Sequence, residues 1–271
     1  MEPERSGGAD LVPPDPRLVG CWRRSLLTTS AGGRDTTTQV TWLQGGRLYV
    51  DLRLPAVRPD LSGVVCARDL TAGQLAALTR VAGFAGRLVA DGPLARWERL
   101  VDLQPATGHP DAGSLVQHGD LVVETGQDGS YVEHWHQTAA TPAPVAGVLL
   151  RETTSGAAAV LLRVGDVAGW ARGHDHPLPP GTDLSALVAA TTTRGARDLL
   201  DAEVAIGRPD PAGIVVVRSS RPWRAGRRLS PTARTGHLEL DDEDTDGTVV
   251  RRRWQIVEQE GDLADLPVTL A

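Results

Sequence analysis

Residues 129–137 read Gly-Ser-Tyr-Val-Glu-His-Trp-His-Gln and carry two aromatic rings, a carboxylate and two imidazoles in one short segment. Turn residues precede this segment and a Pro/Ala-rich stretch follows it, which is typical of a single β-strand. Alternate side chains of a strand point to opposite faces. Tyr131, Glu133 and Trp135 therefore share one face, whereas the two imidazoles share the other. The face that turns toward an enclosed space decides what chemistry the strand can perform.

The stretch from Leu48 to Leu54 alternates in the same way. Its leucines and its valine fall on one face, and Tyr49, Asp51 and Arg53 fall on the other. Gly45-Gly46 in front of it predicts a turn. The apolar face needs cover, so we expect it to pack against another part of the chain. The polar face is then either solvated, as is common in antiparallel sheets, or turned into a pocket.

Similar strand-like segments recur through the first half of the chain, separated by turns. They span residues 19–29, 36–44, 86–90, 95–103, 114–117 and 121–125. A short amphipathic helix interrupts them, and a capping box between Thr71 and Gln74 opens it. Short strands at regular spacing are typical of a meander that closes into a barrel.

The same order of elements returns in the second half, with a helix after the third strand in both. Identical residues coincide at one common offset, namely Gly46 with Gly165, Arg53 with Arg172 and Trp135 with Trp254. Chance also matches such abundant residues, but the shared order favours a duplicated barrel. The sequence therefore predicts an all-β protein of two tandem antiparallel β-barrels, each with one short helix. The predicted organisation is a disordered leader (1–17), a first barrel (18–138), a linker (139–146) and a second barrel (147–271).

Gly20-Cys21-Trp22 opens the first strand and resembles the G-x-W signature of lipocalins and of the wider calycin superfamily. The resemblance implies a pair of lipocalin-like barrels in which this tryptophan closes one barrel end and stacks on an arginine of the last strand. It also implies that a barrel holds one small, partly apolar molecule. The closing strand of the first half offers no arginine. That of the second half has Arg251, Arg252 and Arg253, but the opening strand there has no tryptophan.

The composition limits the class of protein. The formal net charge of −6 argues against a general nucleic-acid binder. No apolar run has the length of a transmembrane helix. The first residues lack an apolar signal core, so we expect a cytoplasmic protein without membrane contact. No lysine is present, which excludes Schiff-base chemistry through lysine. Cys21 and Cys66 are interpreted as two buried thiols rather than a disulfide.

The polar strand faces supply the candidate site. The candidate catalytic residues are Asp51, Arg53, Glu124 and Glu133, and the candidate ligand-binding residues are Tyr49, Trp97, Arg99, Asp102, Tyr131 and Trp135. A carboxylate among them is the expected general acid or base, with a phenol as proton donor and Arg53 holding developing negative charge. The aromatic rings favour an enclosed pocket, because a purely solvated face has no need of them.

We therefore expect a small-molecule-binding barrel that acts as a cofactor-independent isomerase, cyclase or lyase of specialised metabolism, as a monomer or homodimer. The sequence has no nucleophile elbow, P-loop, dinucleotide fingerprint or zinc-protease motif, and no cofactor is expected. A non-catalytic carrier or sensor of a small apolar or aromatic ligand is the first alternative. The second is a metal or haem protein through His134 and His136, for which His118 is the nearest third ligand in sequence.

Overall fold

The computed structural model describes residues 9–138 and 143–271, and its strands form two ten-stranded β-sheets. The strands of the first sheet are β1 (Ala9–Leu11), β2 (Gly20–Thr29), β3 (Arg34–Asp35), β4 (Gln39–Gln44), β5 (Leu48–Leu54), β6 (Ala82–Asp91), β7 (Leu94–Asp102), β8 (Ala112–His118), β9 (Leu121–Gly126) and β10 (Tyr131–Gln137). The strands of the second sheet are β11 (Val145–Glu152), β12 (Ala158–Val164), β13 (Val167–Arg172), β14 (Glu203–Asp210), β15 (Gly213–Ser219), β16 (Arg228–Leu229), β17 (Thr232–Arg234), β18 (His237–Glu243), β19 (Val249–Glu260) and β20 (Thr269–Leu270).

Three short α-helices connect strands in the described residues. They are α1 (Ala72–Leu78), α2 (Leu184–Ala189) and α3 (Thr193–Leu199). The predicted capping box opens α1: the Thr71 side chain accepts from the Gln74 N–H at 3.3 Å, and the Gln74 side chain accepts from the Thr71 N–H at 2.8 Å. No helix in the described part of the chain has the length and apolar character needed to cross a membrane.

Eight strands of the first sheet close into a barrel, here called the first barrel. Strand β2 pairs with β4, each strand from β4 to β10 pairs with the next, and β10 returns to β2. The returning ladder places Glu133 opposite Leu27 and Trp135 opposite Arg24. The all-β class and the closed meander in the first half are therefore confirmed.

The second sheet is a half-barrel. Its strand order runs from β16 at one edge to β20 at the other, and these edges do not pair with each other. This half also contains two helices, α2 and α3, where the sequence predicts one. The edge strands β16 and β20 have two residues each, and Pro231 lies directly before β17, the three-residue neighbour of β20. Such short strands beside a proline, which donates no ladder hydrogen bond, do not extend far enough to close a barrel.

The two sheets nevertheless share one strand order. Strands β2, β4, β5 and β6 pair in sequence, as do β11, β12, β13 and β14, and β10 flanks β2 as β19 flanks β11. Both halves carry a bulge in the next ladder, at Gly86 and at Gly207. A Cβ atom at either glycine would overlap a carbonyl oxygen of the partner strand. The repeat predicted from the common offset is present as repeated topology.

The apolar face of β5 packs between the two sheets. Leu48 and Val50 are buried in one cluster with Val160 and Leu162 of β12. Gly169 of β13 permits the close approach, because a Cβ atom there would lie 3.1 Å from the Cβ of Val50. This cover leaves the opposite face of β5 pointing into the first barrel.

A polar contact fixes the same interface at one end. The Glu260 carboxylate accepts hydrogen bonds from three successive backbone N–H groups, those of Gly46, Arg47 and Leu48, at 3.1, 2.7 and 3.1 Å. Burial raises the pKa of Glu260, while these donors oppose the rise. The end of β19 thus holds the β4–β5 turn that aligns β5.

The prediction of a disordered leader over residues 1–17 is wrong for its second part. Residues 1–8 lie outside the described residues, but Ala9–Leu11 forms β1 and pairs with β8. Leu11 is buried in the cluster inside the first barrel together with Leu18 and Trp22. These apolar side chains cover one end of the barrel, hereafter its base, and that cover orders the segment.

The predicted linker over residues 139–146 falls partly outside the described residues, at 139–142. Its last residues, Val145 and Ala146, begin β11 and pair with Val164 and Arg163 of β12. The second sheet therefore starts two residues before the predicted boundary. The division of the chain into independent domains stays a prediction.

Trp22 has a different stacking partner from the one that the resemblance implies. Its indole is buried and stacks on Trp42, with ring centroids 5.9 Å apart and an interplanar angle of 27°. Its Nε1–H donates to the Leu18 carbonyl at 2.8 Å. A second tryptophan thus takes the place that the resemblance gives to an arginine.

Candidate functional site

The first barrel encloses a cavity of about 380 Å³. It is lined by Leu27, Thr29, Trp42, Asp51, Arg53, Phe84, Trp97, Arg99, Asp111, Glu124, Ser130, Tyr131, Glu133 and Trp135. Its volume lies within the range of about 300–1,000 Å³ typical of small-molecule sites. The side chains that alternate with the apolar face of β5 therefore point into an enclosed space and not into open solvent.

Aromatic rings form the part of the cavity nearer the base. Trp42 meets Trp97 and Trp135 edge to face, with centroid distances of 6.1 and 5.4 Å. All three indoles are buried. Such edge-to-face pairs stabilise a fixed arrangement, so the rings form a rigid apolar wall below the charged groups.

Glu124 on β9 is a buried carboxyl group held by two of these aromatic residues. The Tyr131 hydroxyl donates to its Oε1 at 2.7 Å, and the Trp135 Nε1–H donates to its Oε2 at 3.0 Å. Glu133 lies directly opposite Glu124 on the neighbouring strand β10. Burial and the Glu133 charge raise the pKa of Glu124 to about 8. Glu124 is therefore largely protonated at neutral pH.

Glu133 has a different environment, in which arginines surround it. Its Oε1 accepts from Arg24 at 2.5 Å and from Arg53 at 3.2 Å. Its Oε2 is buried and has no hydrogen-bond partner among the described residues. The two opposed carboxyl groups thus differ in their contacts: arginines surround Glu133, whereas a phenol and an indole hold Glu124.

Asp51 on β5 completes this charged group. It is buried, and its Oδ1 accepts from the Arg53 Nε at 2.9 Å. Burial raises the pKa of Asp51, and the Arg53 charge opposes the rise. The Arg53 side chain keeps 25% of its surface exposed, whereas that of Asp51 keeps 3%. Arg53 therefore presents a cation to a molecule in the cavity.

Arg99 on β7 lies over the aromatic face of Phe84, with 3.7 Å between its guanidinium carbon and the ring centroid. It donates to Asp111 at 2.6 Å and to Asp102 at 3.0 Å. Burial alone would lower the pKa of Arg99, but the two carboxylates raise it above its ordinary value. This ion-paired guanidinium fixes one side of the cavity rim.

The structure brings together most of the residues predicted for the site. Eight of the ten line the cavity, namely Asp51, Arg53, Trp97, Arg99, Glu124, Tyr131, Glu133 and Trp135. Asp102 contacts the cavity only through Arg99. Tyr49 lies behind Phe84 in an edge-to-face contact at 6.1 Å, fully buried and with no partner for its hydroxyl in the described part of the chain. The roles assigned to these residues stay predictions.

Sequence reasoning missed Arg24, which contacts Glu133, and six residues of the lining, namely Leu27, Thr29, Trp42, Phe84, Asp111 and Ser130. Arg24 follows Trp22 at the strand spacing of two, so alternation along β2 was a usable signal for it. Alternation along β4 indicates the position of Trp42 in the same way. Asp111 comes from the segment before β8, and no periodicity marks such a residue.

The lining has an excess of acids. Four carboxyl groups, those of Asp51, Asp111, Glu124 and Glu133, face two guanidinium groups, those of Arg53 and Arg99. Buried like charges are costly unless one is neutralised. The neutral form of Glu124 relieves this cost, which links its raised pKa to the architecture of the whole cavity.

The histidine pair of β10 lies on the outer face of the barrel. His134 and His136 alternate with the inward Glu133 and Trp135 and are partly exposed. In residues 9–138 and 143–271, no group of three or more His, Cys, Asp or Glu side chains is arranged to hold a metal ion. His118 therefore does not act as the third ligand that the metal hypothesis requires.

Comparisons with known proteins support the fold alone. A scan against protein families finds no match, and a search of curated proteins finds none either. The chain is similar in structure to the uncharacterized protein YLR301w of Saccharomyces cerevisiae, with a TM-score of 0.50 and 12% identity. The alignment covers 89% of this chain and 98% of that one. Such a likeness supports the two-sheet fold and indicates nothing about activity.

Proposed function

We propose that the first barrel binds a small molecule and performs acid/base chemistry on it without a cofactor, as an isomerase, cyclase or lyase. The supporting observation is the opposed pair of buried carboxyl groups, Glu124 and Glu133, in contrasting surroundings. Two neighbouring carboxyl groups, one held by neutral donors and the other by arginines, are typical of an acid and a base in one active site.

Glu124 and Tyr131 form the acid side of the proposed site. Glu124 is deeply buried, whereas Tyr131 is partly exposed in the cavity. Tyr131 therefore delivers a proton to the substrate and regains one from Glu124 across their 2.7 Å hydrogen bond. Burial and the nearby Glu124 raise the pKa of Tyr131, so the hydroxyl stays protonated until it transfers its proton to the substrate.

Glu133 is the base of the proposed site. It lines the cavity, and its Oε2 has no partner in the described residues, so we assign this carboxyl group to accept a proton from a substrate C–H or N–H. The proton removed here and the proton delivered through Tyr131 balance, so the net reaction moves a hydrogen without a change in oxidation state. Arg53 stabilises the negative charge that develops between the two steps.

The test begins with a panel of small aromatic and alicyclic carbonyl compounds, whose binding is followed by the fluorescence of the cavity tryptophans. For each binder, incorporation of deuterium from D₂O into the compound measures proton abstraction. In Glu133→Gln we expect binding within about threefold of wild type and exchange slowed by about 10²–10⁴. Glu239→Gln, on β18 of the second sheet, is the matched control and should change neither. Unimpaired exchange in Glu133→Gln would overturn the assignment of the base.

A carrier function is the second candidate, and the ion pairs of the cavity favour it. Asp51, Glu133 and Asp111 all accept from arginines at 3.2 Å or less. Fully paired charges fit a rigid binding site as well as a catalytic one. Binding of a panel compound without exchange in the wild-type protein would support the carrier. The lipocalin-like relationship implied by Gly20-Cys21-Trp22 belongs to this proposal too, since small-molecule binding is what it implies.

A further inference from the structure

Arg218 on β15 is half-buried and differs from four other arginines of the second half of the chain. Its Nε is buried, and in the described residues the guanidinium forms neither a hydrogen bond nor an ion pair. By contrast, Arg172, Arg221, Arg224 and Arg252 each lie within 3.6 Å of a carboxylate oxygen. Burial lowers the pKa of Arg218, in keeping with a cation that has no counter-ion.

Arg218 lines a groove between the first barrel and the second sheet, outside the barrel cavity. The groove has a volume of about 190 Å³, and Leu54, Leu78 and Pro222 are among its apolar walls. Arg58 is the second cation of the lining. It donates only to the neutral oxygens of Gln39 and Pro55, at 2.9 and 3.2 Å. Within the described part of the chain, no carboxylate lines this groove.

A partly buried guanidinium without an anion is unfavourable, because desolvation is not offset by any partner. An arginine fork has the geometry to bind a carboxylate through two parallel hydrogen bonds. The volume lies below the range of about 300–1,000 Å³ typical of drug-sized ligands. The apolar walls suit a body of a few carbon atoms.

We propose that this groove is a binding site for a small monocarboxylate with a short apolar body, held by Arg218 with help from Arg58. The carboxylate lies against the Arg218 guanidinium, and the hydrocarbon lies against Leu54 and Leu78. The site is separate from the carboxyl pair of the first barrel, so its test is independent of the proposed acid/base function.

The experiment is isothermal titration calorimetry of the full chain with hexanoate, with its neutral analogue hexanamide and with hexyl phosphate. Hexanoate should bind at least tenfold more tightly than hexanamide. Arg218→Gln should weaken hexanoate binding at least tenfold, and Arg58→Gln about threefold. Arg208→Gln removes an exposed arginine from the adjacent strand β14 and should leave binding within twofold of wild type.

Three results would overturn the proposal: no binding of hexanoate at 20 mM, equal affinity in wild type and Arg218→Gln, or tighter binding of hexyl phosphate than of hexanoate. Circular dichroism checks that Arg218→Gln is folded. If it is not, Arg58→Gln decides, because Arg58 is exposed and its replacement leaves the core intact. Unchanged hexanoate affinity in Arg58→Gln then contradicts the site.

Discussion

The interior of the first barrel and the interior of the second sheet place the same residue types differently. Arg53 and Arg172 coincide at the common offset, yet the first is a quarter exposed in a cavity and the second is fully buried. Each of these two arginines belongs to an interior that also holds several tryptophans. In the second sheet, Trp170 meets Trp254 edge to face at 5.7 Å. One repeated pattern therefore produces a cavity in one half and a packed polar core in the other.

Charge balance explains the difference. In the second sheet, Arg172 lies 3.1 Å from Asp242, and Arg224 lies 3.3 Å from the same carboxylate. Arg221 and Arg252 add two further guanidinium groups around it. Long arginine side chains fill this interior and neutralise its acids. In the first barrel, acids outnumber arginines, and an open volume remains. A polar strand face that points inward therefore indicates a ligand site only where the interior has both an excess of one charge and an open volume.

The largest expected effect is on the packed core. Arg172→Ala leaves Asp242 and Asp201 without one of their cations, and removing one partner of a buried pair typically costs about 3–5 kcal/mol. Arg53→Ala should cost less, about 1.5–3 kcal/mol, because the Arg53 side chain is partly exposed. Urea unfolding followed by circular dichroism gives both free energies of unfolding. Equal costs would remove the distinction between the two interiors.

The next effect is on the free energy of unfolding, whose dependence on pH should have opposite signs for the acids of the two interiors. Glu124 has a pKa of about 8 in the folded protein, well above its value in the unfolded chain, so the folded state binds the extra proton at intermediate pH. The free energy of unfolding should therefore fall as pH rises from about 5 to 8, by at most about 1.4 kcal/mol per pH unit. Glu124→Gln should make this slope clearly shallower, and the slope that remains comes from acids such as Asp51 and Glu260, whose pKa values burial also raises.

Asp242 should show the reverse behaviour. Burial alone would raise the pKa of Asp242, but Arg172, Arg221 and Arg224 lower it below its ordinary value of 3.8. Its stabilising contribution is then present above about pH 4 and is lost as pH falls below that value. Urea unfolding between pH 2 and 5 should show an acid-side decline that is shallower in Asp242→Asn. An identical decline in that variant would place the titrating acid elsewhere.

A smaller effect concerns the contact that joins the two halves. Glu260→Gln weakens three hydrogen bonds between backbone donors and a carboxylate, so the free energy of unfolding should fall by about 1–2 kcal/mol. Glu239→Gln, which removes a partly exposed acid of β18, should change it by less than about 0.5 kcal/mol. Thermal unfolding of the two variants measures the difference. Equal stability of both would mean that Glu260 does not fix the β4–β5 turn.

The smallest effect on stability is expected for substitutions on the outer face of the first barrel. Replacing His134 and His136 together by Gln should change stability by less than about 1 kcal/mol, because both side chains are partly exposed. The same variant should bind zinc as weakly as the wild type does. Tight zinc binding that this variant loses would restore the metal hypothesis.

Alternation separates the two faces of β5 and of β10, and the aromatic residues that accompany the charges favour a polar face turned inward. Asp51 and Glu133 could therefore be placed in a pocket from sequence. Asp111 could not, since it lies in a connecting segment without periodicity. The half-barrel shape could not be predicted either. The sequence pattern of a strand indicates which side chains share a face, but it does not indicate whether the two edge strands of a sheet pair with each other. Residues 9–18 are ordered because Leu11 and Leu18 pack against one end of the barrel. This is a tertiary contact, which the local sequence does not indicate.

The most direct test of the central claim is the titration of the glutamate side-chain carboxyl groups by ¹³C NMR. The claim is that Glu124 is a neutral acid opposite the arginine-paired Glu133 inside a closed barrel. We predict one glutamate resonance that titrates near pH 8 and is missing from the spectrum of Glu124→Gln. Titration of every glutamate between about pH 4 and 5 would contradict the claim, because Glu124 would then lie in contact with bulk water.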